Sequence, residues 1–333
     1  MTFQITVEGT DIRIPCEDNE SVLEAVQRAG YEIPYSCRKG ICAICEGRLV
    51  AGEAAVGGTG PVRILRDQQD AVLLCQTWPR SDLTVAPRRI ERYDPAARKS
   101  LTANVFRLAR PTSDVAILSL RFPAGIKVKF RAGQYLQIVL PDGARRSYSM
   151  ASTPAEKDGV QLHVHRVPGG RFSEDVLATL KPGDKLQIEL PFGDFYLRED
   201  SDKPIIFLAT GTGFAPIKSI IEDSFKRGCA RRMTLYWGGR TESDLYSADL
   251  VRKWADDHST FGFVPVLSRA EADWSGRRGY VHEQVLADFP SLASHEVYAC
   301  GNPLMTDACR KEFTVRAGLP PEQIFCDAFV ESG

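Results

Sequence analysis

The sequence predicts an α+β multidomain chain in three regions: a small β-rich module with one helix, a short-stranded antiparallel β-barrel, and a doubly wound parallel α/β sheet. Three observations predict it. The 333 residues exceed one ordinary core and suit two or three domains of roughly 100–150 residues each. The hydrophobic rhythm changes along the chain, from period two with one helical stretch, to short runs separated by Gly, Pro and Asp, to apolar runs alternating with helical segments. A charged stretch broken by Pro95, from Arg88 to Ser100, reads as a linker between the first region and the second.

Each element has its own signal. Phe3, Ile5, Val7, Ile12 and Ile14 fall at period two around Glu8-Gly9-Thr10-Asp11, which reads as a hairpin. Ser21-x-x-Glu24 is a capping box that opens a short helix with Val22, Leu23, Ala25 and Val26 inward, closed at Gly30. The first domain, residues 1–90, ends near Val85 to Pro87, and the basic residues Arg88, Arg89, Arg92, Arg98 and Lys99 read as a solvated connector. In residues 98–200 the runs Val115 to Phe122, Gln134 to Leu140, Val160 to Val167 and Lys185 to Leu190 are spaced as in a small antiparallel barrel. In residues 203–333 the runs Ile205 to Ala209, Met233 to Trp237, Phe263 to Leu267 and Glu296 to Cys300 alternate with helical stretches, as in a doubly wound parallel sheet.

Composition narrows the function. With 43% apolar and 26% charged residues the chain is globular, and a formal net charge of −1 gives no footprint for nucleic acid or an anionic membrane. The N-terminus alternates apolar and polar residues and lacks a signal-peptide pattern, so a cytoplasmic setting is expected. No apolar run approaches the roughly 20 residues of a membrane span. Nine cysteines, with Cys37, Cys42 and Cys45 together and the rest dispersed, suit a metal site better than a disulfide framework.

Cys37, Cys42 and Cys45, followed by Cys75, make a C-x4-C-x2-C…C pattern, the spacing of plant-type [2Fe-2S] ferredoxins. A tight loop places three thiolates on one side of the cluster, and Gly40 lets the backbone approach it. A structural zinc site would pair two short knuckles, whereas Cys75 stands alone beside Leu73 and Leu74. Cys16 lies outside the pattern and reads as a buried thiol. This region resembles the N-terminal ferredoxin module of bacterial oxygenase reductases, which implies a β-grasp fold. Ala43 stands where many relatives carry Gly, and a small side chain is expected to fit.

Arg146-Ser147-Tyr148-Ser149 and Gly169-Gly170-Arg171-Phe172-Ser173 resemble the R-x-Y-[ST] and G-G-x-x-S signatures of the ferredoxin-NADP reductase superfamily. The resemblance implies a flavin. Arg146 can neutralise its diphosphate, Tyr148 can lie against the isoalloxazine, and Ser149 can hydrogen-bond near N5. Gly169, Gly170 and Ser173 would bring backbone N–H groups and a hydroxyl to the pyrophosphate. FAD is expected over FMN because relatives with this N-terminal module mostly use it. His163 and His165 share a strand; one is expected toward the core or cofactor and the other in solvent, and neither is assigned to a metal. By the same resemblance the strand with His165 and Arg166 runs beside the flavin.

Gly211-Thr212-Gly213-Phe214-Ala215-Pro216 follows an apolar run and opens a helix with Ile217, Ile220, Ile221 and Phe225 at helical spacing. Gly211 and Gly213 permit the turn and close phosphate approach, Pro216 can begin the helix, and the helix N-terminus favours an anion. This G-x-G-x-x-P loop again resembles the reductase superfamily. There Cys300 and Gly301, in Tyr298-Ala299-Cys300-Gly301-Asn302-Pro303, would position the nicotinamide over the flavin. Phe329 is the candidate aromatic flanking the flavin. Arg240, Ser268 and Arg269 end the second and third strands, where the adenosine ribose is read; NADH is expected, and Arg269 leaves NADPH open.

Over nearly the whole chain the resemblance is to oxygenase reductases of the benzoate, phenol and methane type, and to CDP-6-deoxy-3,4-glucoseen reductase. It implies a monomeric enzyme in which hydride passes from NADH to FAD and electrons leave singly through the cluster, with Ser149 and Cys300 as the residues closest to the chemistry. The expected partner is the terminal component of a multicomponent oxygenase or a ferredoxin-like protein, with no nucleic acid or membrane involved. A dehydratase of deoxysugar synthesis is the alternative acceptor. A non-turnover redox sensor is a rival of another class, against which the intact G-x-G-x-x-P loop speaks.

Overall fold

The computed structural model describes residues 1–35, 38–57, 61–66, 71–94 and 97–330. The chain forms two compact units, Met1–Ala97 and Arg98–Gly333.

The first unit begins with the expected hairpin. Strands β1 (Thr2–Val7) and β2 (Arg13–Glu17) pair antiparallel with Ile5 opposite Ile14 and Phe3 opposite Cys16. Helix α1 (Val22–Arg28) starts at the capping box, where the Ser21 hydroxyl accepts from the Glu24 N–H and the Glu24 carboxylate accepts from the Ser21 N–H. Its Val22, Leu23, Ala25 and Val26 face the core, and the three larger side chains contribute about 1.5–3 kcal/mol each. Cys16 is wholly buried, and that burial, with Glu20 nearby, pushes its thiol up to about 12. The remaining strands are β3 (Tyr31–Glu32), β4 (Glu46–Ala51), β5 (Glu53–Val56), β6 (Arg63–Arg66), β7 (Ala71–Leu73), β8 (Thr77–Pro79), β9 (Leu83–Pro87) and β10 (Glu91–Arg92). They complete a sheet of order β2-β1-β9-β4-β7, in which β1 and β9 run parallel, and a smaller sheet of order β6-β5-β8.

The connector is more ordered than its composition implies. Glu91 and Arg92 pair with Glu32 and Tyr31, Arg88 bonds the Glu46 carboxylate at 2.5 Å, and Lys99 already belongs to the next strand.

In the second unit, β11 (Lys99–Ala109), β12 (Val115–Arg121), β13 (Tyr135–Val139), β14 (Arg145–Ser149), β15 (Gly159–His165) and β16 (Lys185–Phe192) form one antiparallel sheet, with the short helix α2 (Leu177–Thr179) between β15 and β16. Its order is β14-β13-β16-β11-β12-β15. A single bridge, Met150 to Leu162, links its two edges, and the ladder does not close.

A second sheet follows, with β17 (Ile205–Thr210), helix α3 (Phe214–Lys226), β18 (Met233–Gly239), α4 (Ala248–Asp257), β19 (Phe261–Leu267), β20 (Arg277–Arg278), α5 (Val281–Asp288), β21 (Glu296–Gly301), α6 (Pro303–Ala317) and β22 (Ile324–Ala328). Its order is β20-β19-β18-β17-β21-β22, with every neighbouring pair parallel. From β17 the chain winds outward one way through β18 to β20, then returns to β21 and β22 on the other side. The reversal makes a crevice at the carboxyl ends of β17 and β21, where open α/β sheets bind ligands. Among the described residues no helix is long and apolar enough to cross a membrane.

At the opposite end of this sheet Arg231 and Glu296 form an ion pair at 2.7 Å, with side chains only 7% and 2% exposed. The Tyr298 hydroxyl also donates to Glu296, and Arg231 donates to the carbonyls of Lys203 and Arg198. Glu296→Ala would strand a buried guanidinium, so it is expected to lower the unfolding free energy by about 3–5 kcal/mol, measured by denaturant titration; a loss below ~1 kcal/mol would mean the pair is effectively solvated.

Candidate functional site

Within the first unit, Cys42 and Cys45 lie on the loop between β3 and β4, and Cys75 on a one-turn 3-10 segment, Leu74–Gln76, before β8. Cys37, the other expected cluster ligand, lies outside the described residues. Cys42, Cys45 and Cys75 are 2%, 2% and 6% exposed. Two bonds tie the segments together: the Leu74 N–H donates to the Cys45 carbonyl at 3.0 Å, and the Gln76 amide donates to the Arg38 carbonyl at 3.0 Å. Among the described residues no group of three or more His, Cys, Asp or Glu gathers as a metal site. What fits an iron-sulfur centre is the donor chemistry: three soft thiols drawn out of water on a backbone that bends sharply. Arg38, Gly40 and Ala43 all have positive φ, at 53°, 72° and 56°. The Ala43 angle explains why glycine suits this position, since an L side chain there costs about 1 kcal/mol.

In the second unit, β14 presents the first flavin signature. Arg146 and Tyr148 are half-buried and Ser149 is buried, with Ser149 opposite Tyr135 on β13. The Tyr148 ring packs against Phe172 at 5.2 Å, and burial holds its phenol well above the ordinary range. Gly169-Gly170 leads directly into a π-helical turn, Arg171–Val176, so this motif opens a helix. The Gly169 N–H donates to the Glu174 carboxylate at 2.6 Å, and Arg166 donates to its other oxygen at 2.8 Å; these two bonds hold the Glu174 acid below its usual range. An anionic oxygen therefore already sits on the N–H that the sequence assigns to a phosphate. The Ser173 hydroxyl accepts from the Val167 N–H at 3.1 Å, inside its own loop, and Arg171 pairs with Asp142.

The two histidines part as expected, His163 buried and His165 exposed. His163 Nδ1 meets the Tyr246 hydroxyl at 2.8 Å and Nε2 meets Gln161 Oε1 at 3.2 Å. Burial, reinforced by Lys218, pulls its pKa down to about 3. No metal ligation is called for.

The crevice between β17 and β21 assembles the nicotinamide motifs. Gly211 adopts φ 53° in a 3-10 turn that runs into α3, and Pro216 is the third residue of that helix, where a missing N–H leaves no helical bond unmade. A Cβ on Gly213 would stand 2.2 Å from the Cys300 carbonyl oxygen, and one on Gly301 would stand 2.3 Å from the Thr210 hydroxyl. The two loops thus touch backbone to backbone, and the Thr210 hydroxyl accepts from the Asn302 N–H at 2.9 Å. Trp237 of β18 donates its indole N–H to the Gly211 carbonyl at 3.2 Å and stacks on Phe214 with centroids 4.0 Å apart. Cys300 is wholly buried; burial first, then Asp327 and Cys326, keeps it a neutral thiol. The Phe329 N–H donates to the Gly301 carbonyl at 2.8 Å, which brings the half-buried Phe329 to the same loop.

Arg240, Ser268 and Arg269 are exposed at the ends of β18 and β19. The Arg269 N–H donates to the Arg240 carbonyl and the Ser268 N–H to the Gly239 carbonyl, which holds the two strand ends side by side. Asp244 accepts from the Arg240 and Thr241 N–H groups at 2.7 and 2.8 Å. In sequence Trp237 reads only as the end of an apolar run, and Ser219 and Tyr246 belong to no motif; their hydrogen bonds reach residues 26, 67 and 83 positions away.

Comparison with known proteins matches three domain families along the chain. Residues 5–80 match the 2Fe-2S iron-sulfur cluster binding domain, 103–196 the oxidoreductase FAD-binding domain, and 207–311 the oxidoreductase NAD-binding domain. The chain is 42% identical over 335 aligned residues to terephthalate 1,2-dioxygenase reductase component 1 of Comamonas sp., covering 100% of this chain and 98% of that protein. It is 34% identical, over the full length of both, to the CDP-6-deoxy-L-threo-D-glycero-4-hexulose-3-dehydrase reductase of Yersinia pseudotuberculosis. Among solved structures, the Amycolatopsis cytochrome P450 reductase GcoB aligns with a TM-score of 0.73 at 33% identity, covering 98% of this chain and 99% of that one.

Two outcomes follow from the geometry. Ala43→Gly is expected to raise the unfolding free energy by about 0.5–1 kcal/mol, read by denaturant titration; a loss of stability would show that position 43 does not hold its positive φ. His163 has a folded pKa below its unfolded value, so it contributes stability that is present above about pH 6.5 and is lost as pH falls toward 3. The thermal midpoint of His163→Gln should therefore fall less steeply than wild type over that window, and parallel curves would refute the assignment.

Proposed function

Because this chain belongs to the family of iron-sulfur flavoprotein reductases, with cluster, FAD and NAD domains in one polypeptide, we propose that it is the reductase component of a multicomponent oxygenase. The observation that carries this reading is the crevice where Gly213 and Gly301 seat two loops on each other, in a chain whose cysteine module precedes it. When bound, FAD takes hydride from NADH and the [2Fe-2S] cluster releases the electrons singly to a protein acceptor.

The residues divide the work. Cys37, Cys42, Cys45 and Cys75 ligate the cluster. Arg146, with Gly169, Gly170 and Ser173, holds the flavin diphosphate, for which the Gly169 N–H must exchange its Glu174 oxygen for a phosphate oxygen. Tyr148 lies along the isoalloxazine, and the Ser149 hydroxyl donates toward N5. Gly211, Gly213 and Pro216 set the α3 N-terminus against the nicotinamide diphosphate. Cys300 contacts the nicotinamide ring as a neutral thiol, Gly301 clears space for it, and Phe329 flanks the flavin. Arg240, Ser268 and Arg269 read the adenosine ribose.

The finer architecture belongs to the same reading. The first unit is a β-grasp ferredoxin domain ending near residue 90, the antiparallel sheet a barrel spanning 98–200 with a gap beside the Met150–Leu162 bridge, and residues 203–333 the nicotinamide domain. Thiolate ligands suit the reducing cytoplasm, and we expect a monomer, which sedimentation would check.

Anaerobic mixing of the cluster-loaded holoprotein with NADH should bleach the flavin bands and then the cluster bands. Flavin left oxidised by both NADH and NADPH would overturn the enzyme reading in favour of a sensor. The acceptor is tested by adding the oxygenase component of Comamonas terephthalate 1,2-dioxygenase to the reduced protein: NADH-dependent product formation supports the oxygenase assignment. Its absence, with turnover instead on the Yersinia hexulose dehydrase, moves the assignment to deoxysugar reduction. Removing Arg240 and Arg269 together should raise the KM for NADPH about tenfold or more while NADH stays within about twofold. An equal loss for both would place the ribose elsewhere.

A further inference from the structure

The two sheets of the second unit are joined by polar bonds at two places. Helix α3 leaves the Gly211–Pro216 loop and passes residues 151–153, which follow Ser149 almost at once. The Ser219 hydroxyl donates to the Ser152 carbonyl at 2.6 Å, with Ser219 fully buried and Ser152 1% exposed. On either side, Lys218 donates to the Ala151 carbonyl at 3.2 Å and Lys226 to the Thr153 hydroxyl at 2.8 Å. The second join is the Tyr246–His163 bond, made edge-on with ring centroids 5.4 Å apart. Gln161 Oε1 can only accept, so His163 Nε2 carries the proton and Nδ1 accepts from the Tyr246 hydroxyl.

We propose that Ser219 and Tyr246 are positioning residues for hydride transfer: Ser219 fixes the segment that follows Ser149, and Tyr246 fixes the strand β15 bridged to that segment, relative to the loop carrying Gly211 and Gly213. The inference rests on the flavin and nicotinamide assignments above. Ser219 lies three residues from Pro216 and Ser152 three from Ser149, so no flexible segment separates either end of that bond from the motif it serves; Tyr246 packs on Phe214 and Trp237 beside the glycine loop, and His163 adjoins Leu162, bridged to Met150. Reacting atoms must come within about 3–3.5 Å, and a shift of about 1 Å can cost about 10²-fold in rate. An apolar contact between the sheets could slide by that much. A buried hydroxyl on a carbonyl cannot, because the bond fails outside a narrow range of distance and angle.

The test compares anaerobic flavin reduction by NADH in holoprotein of wild type, Ser219→Ala and Tyr246→Phe, with amide hydrogen exchange on the same proteins. The limiting reduction rate should fall about tenfold in each variant while the half-saturating NADH concentration stays within about twofold. FAD content and reduction by dithionite should not change. Exchange should quicken in Ser219→Ala at the Ala151 N–H, bonded to the Gln161 carbonyl, and at the Gln161 N–H, bonded to the Ser152 hydroxyl. Wild-type limiting rates in both variants would overturn the proposal, as would slowing that tracks FAD loss alone. If Ser219→Ala does not fold, Tyr246→Phe decides the matter by the same rates. A wild-type protein whose flavin NADH does not reduce would instead overturn the functional reading, and this inference with it.

Discussion

Backbone contact between Gly213 and Cys300, with Thr210 against Gly301 beside it, is the constraint from which the rest of the second unit follows. Neither position has room for a Cβ, so the loop after β17 and the loop after β21 form one rigid piece. Neighbouring strand ends lock onto that piece: Trp237 from β18 through the Gly211 carbonyl, and Phe329, just past β22, through the Gly301 carbonyl. Four strand ends and the positive end of the α3 dipole thus meet at one crevice. Cys300 lies wholly buried directly behind it, kept neutral first by burial and then by Asp327 and Cys326.

The flavin loop solves the anion problem differently. Its donors are not left bare: Glu174 occupies the Gly169 N–H and Arg166, and Asp142 pairs with Arg171. The half-buried Glu174 and the exposed Asp142 hold the donors in position by bonds that water and salt weaken. Under the proposed assignment, a diphosphate would take over these donors in a loop already oriented to hold them.

Much of this was legible from residue order alone, and the limits have physical causes. The four apolar runs of the last region all proved to be parallel strands, because strands buried on both faces read as unbroken hydrophobic stretches. Lys99–Ala109, the longest strand of the antiparallel sheet, escaped notice: only Ala103 and Val105 of it are buried, and a bulge between Val105 and Arg107 ends the alternation that begins at Leu101. Strand β20, two residues long, was missed for want of length, and β22 was missed although its five residues match the assigned runs. Ser21-x-x-Glu24 predicted its helix because both halves of a capping box are local. The G-x-G-x-x-P loop was found, yet Gly213 proved to be needed for its contact with Cys300, far away in the chain. Ser219 and Tyr246 had no local signal at all, since their partners lie 67 and 83 residues distant.

The division of the chain into two units matches the tolerances of the two transfers assigned to it. Hydride moves with its nucleus, so donor and acceptor carbon and nitrogen must be held within a fraction of an ångström of contact. Everything assigned to that step falls in the second unit, Arg98–Gly333, which holds the close glycine contacts, the buried Ser219–Ser152 hydroxyl–carbonyl bond and the Tyr246–His163 bond. An electron moves without its nucleus and accepts a range of distances, so the cysteine loop needs no comparable registry with the flavin. It is built accordingly, within a unit that has its own helix and its own core of Ile5, Ile14, Leu49 and Val85. A reductase that must meet both a nicotinamide and a protein acceptor can therefore keep the exacting step inside one compact unit and entrust the tolerant one to another.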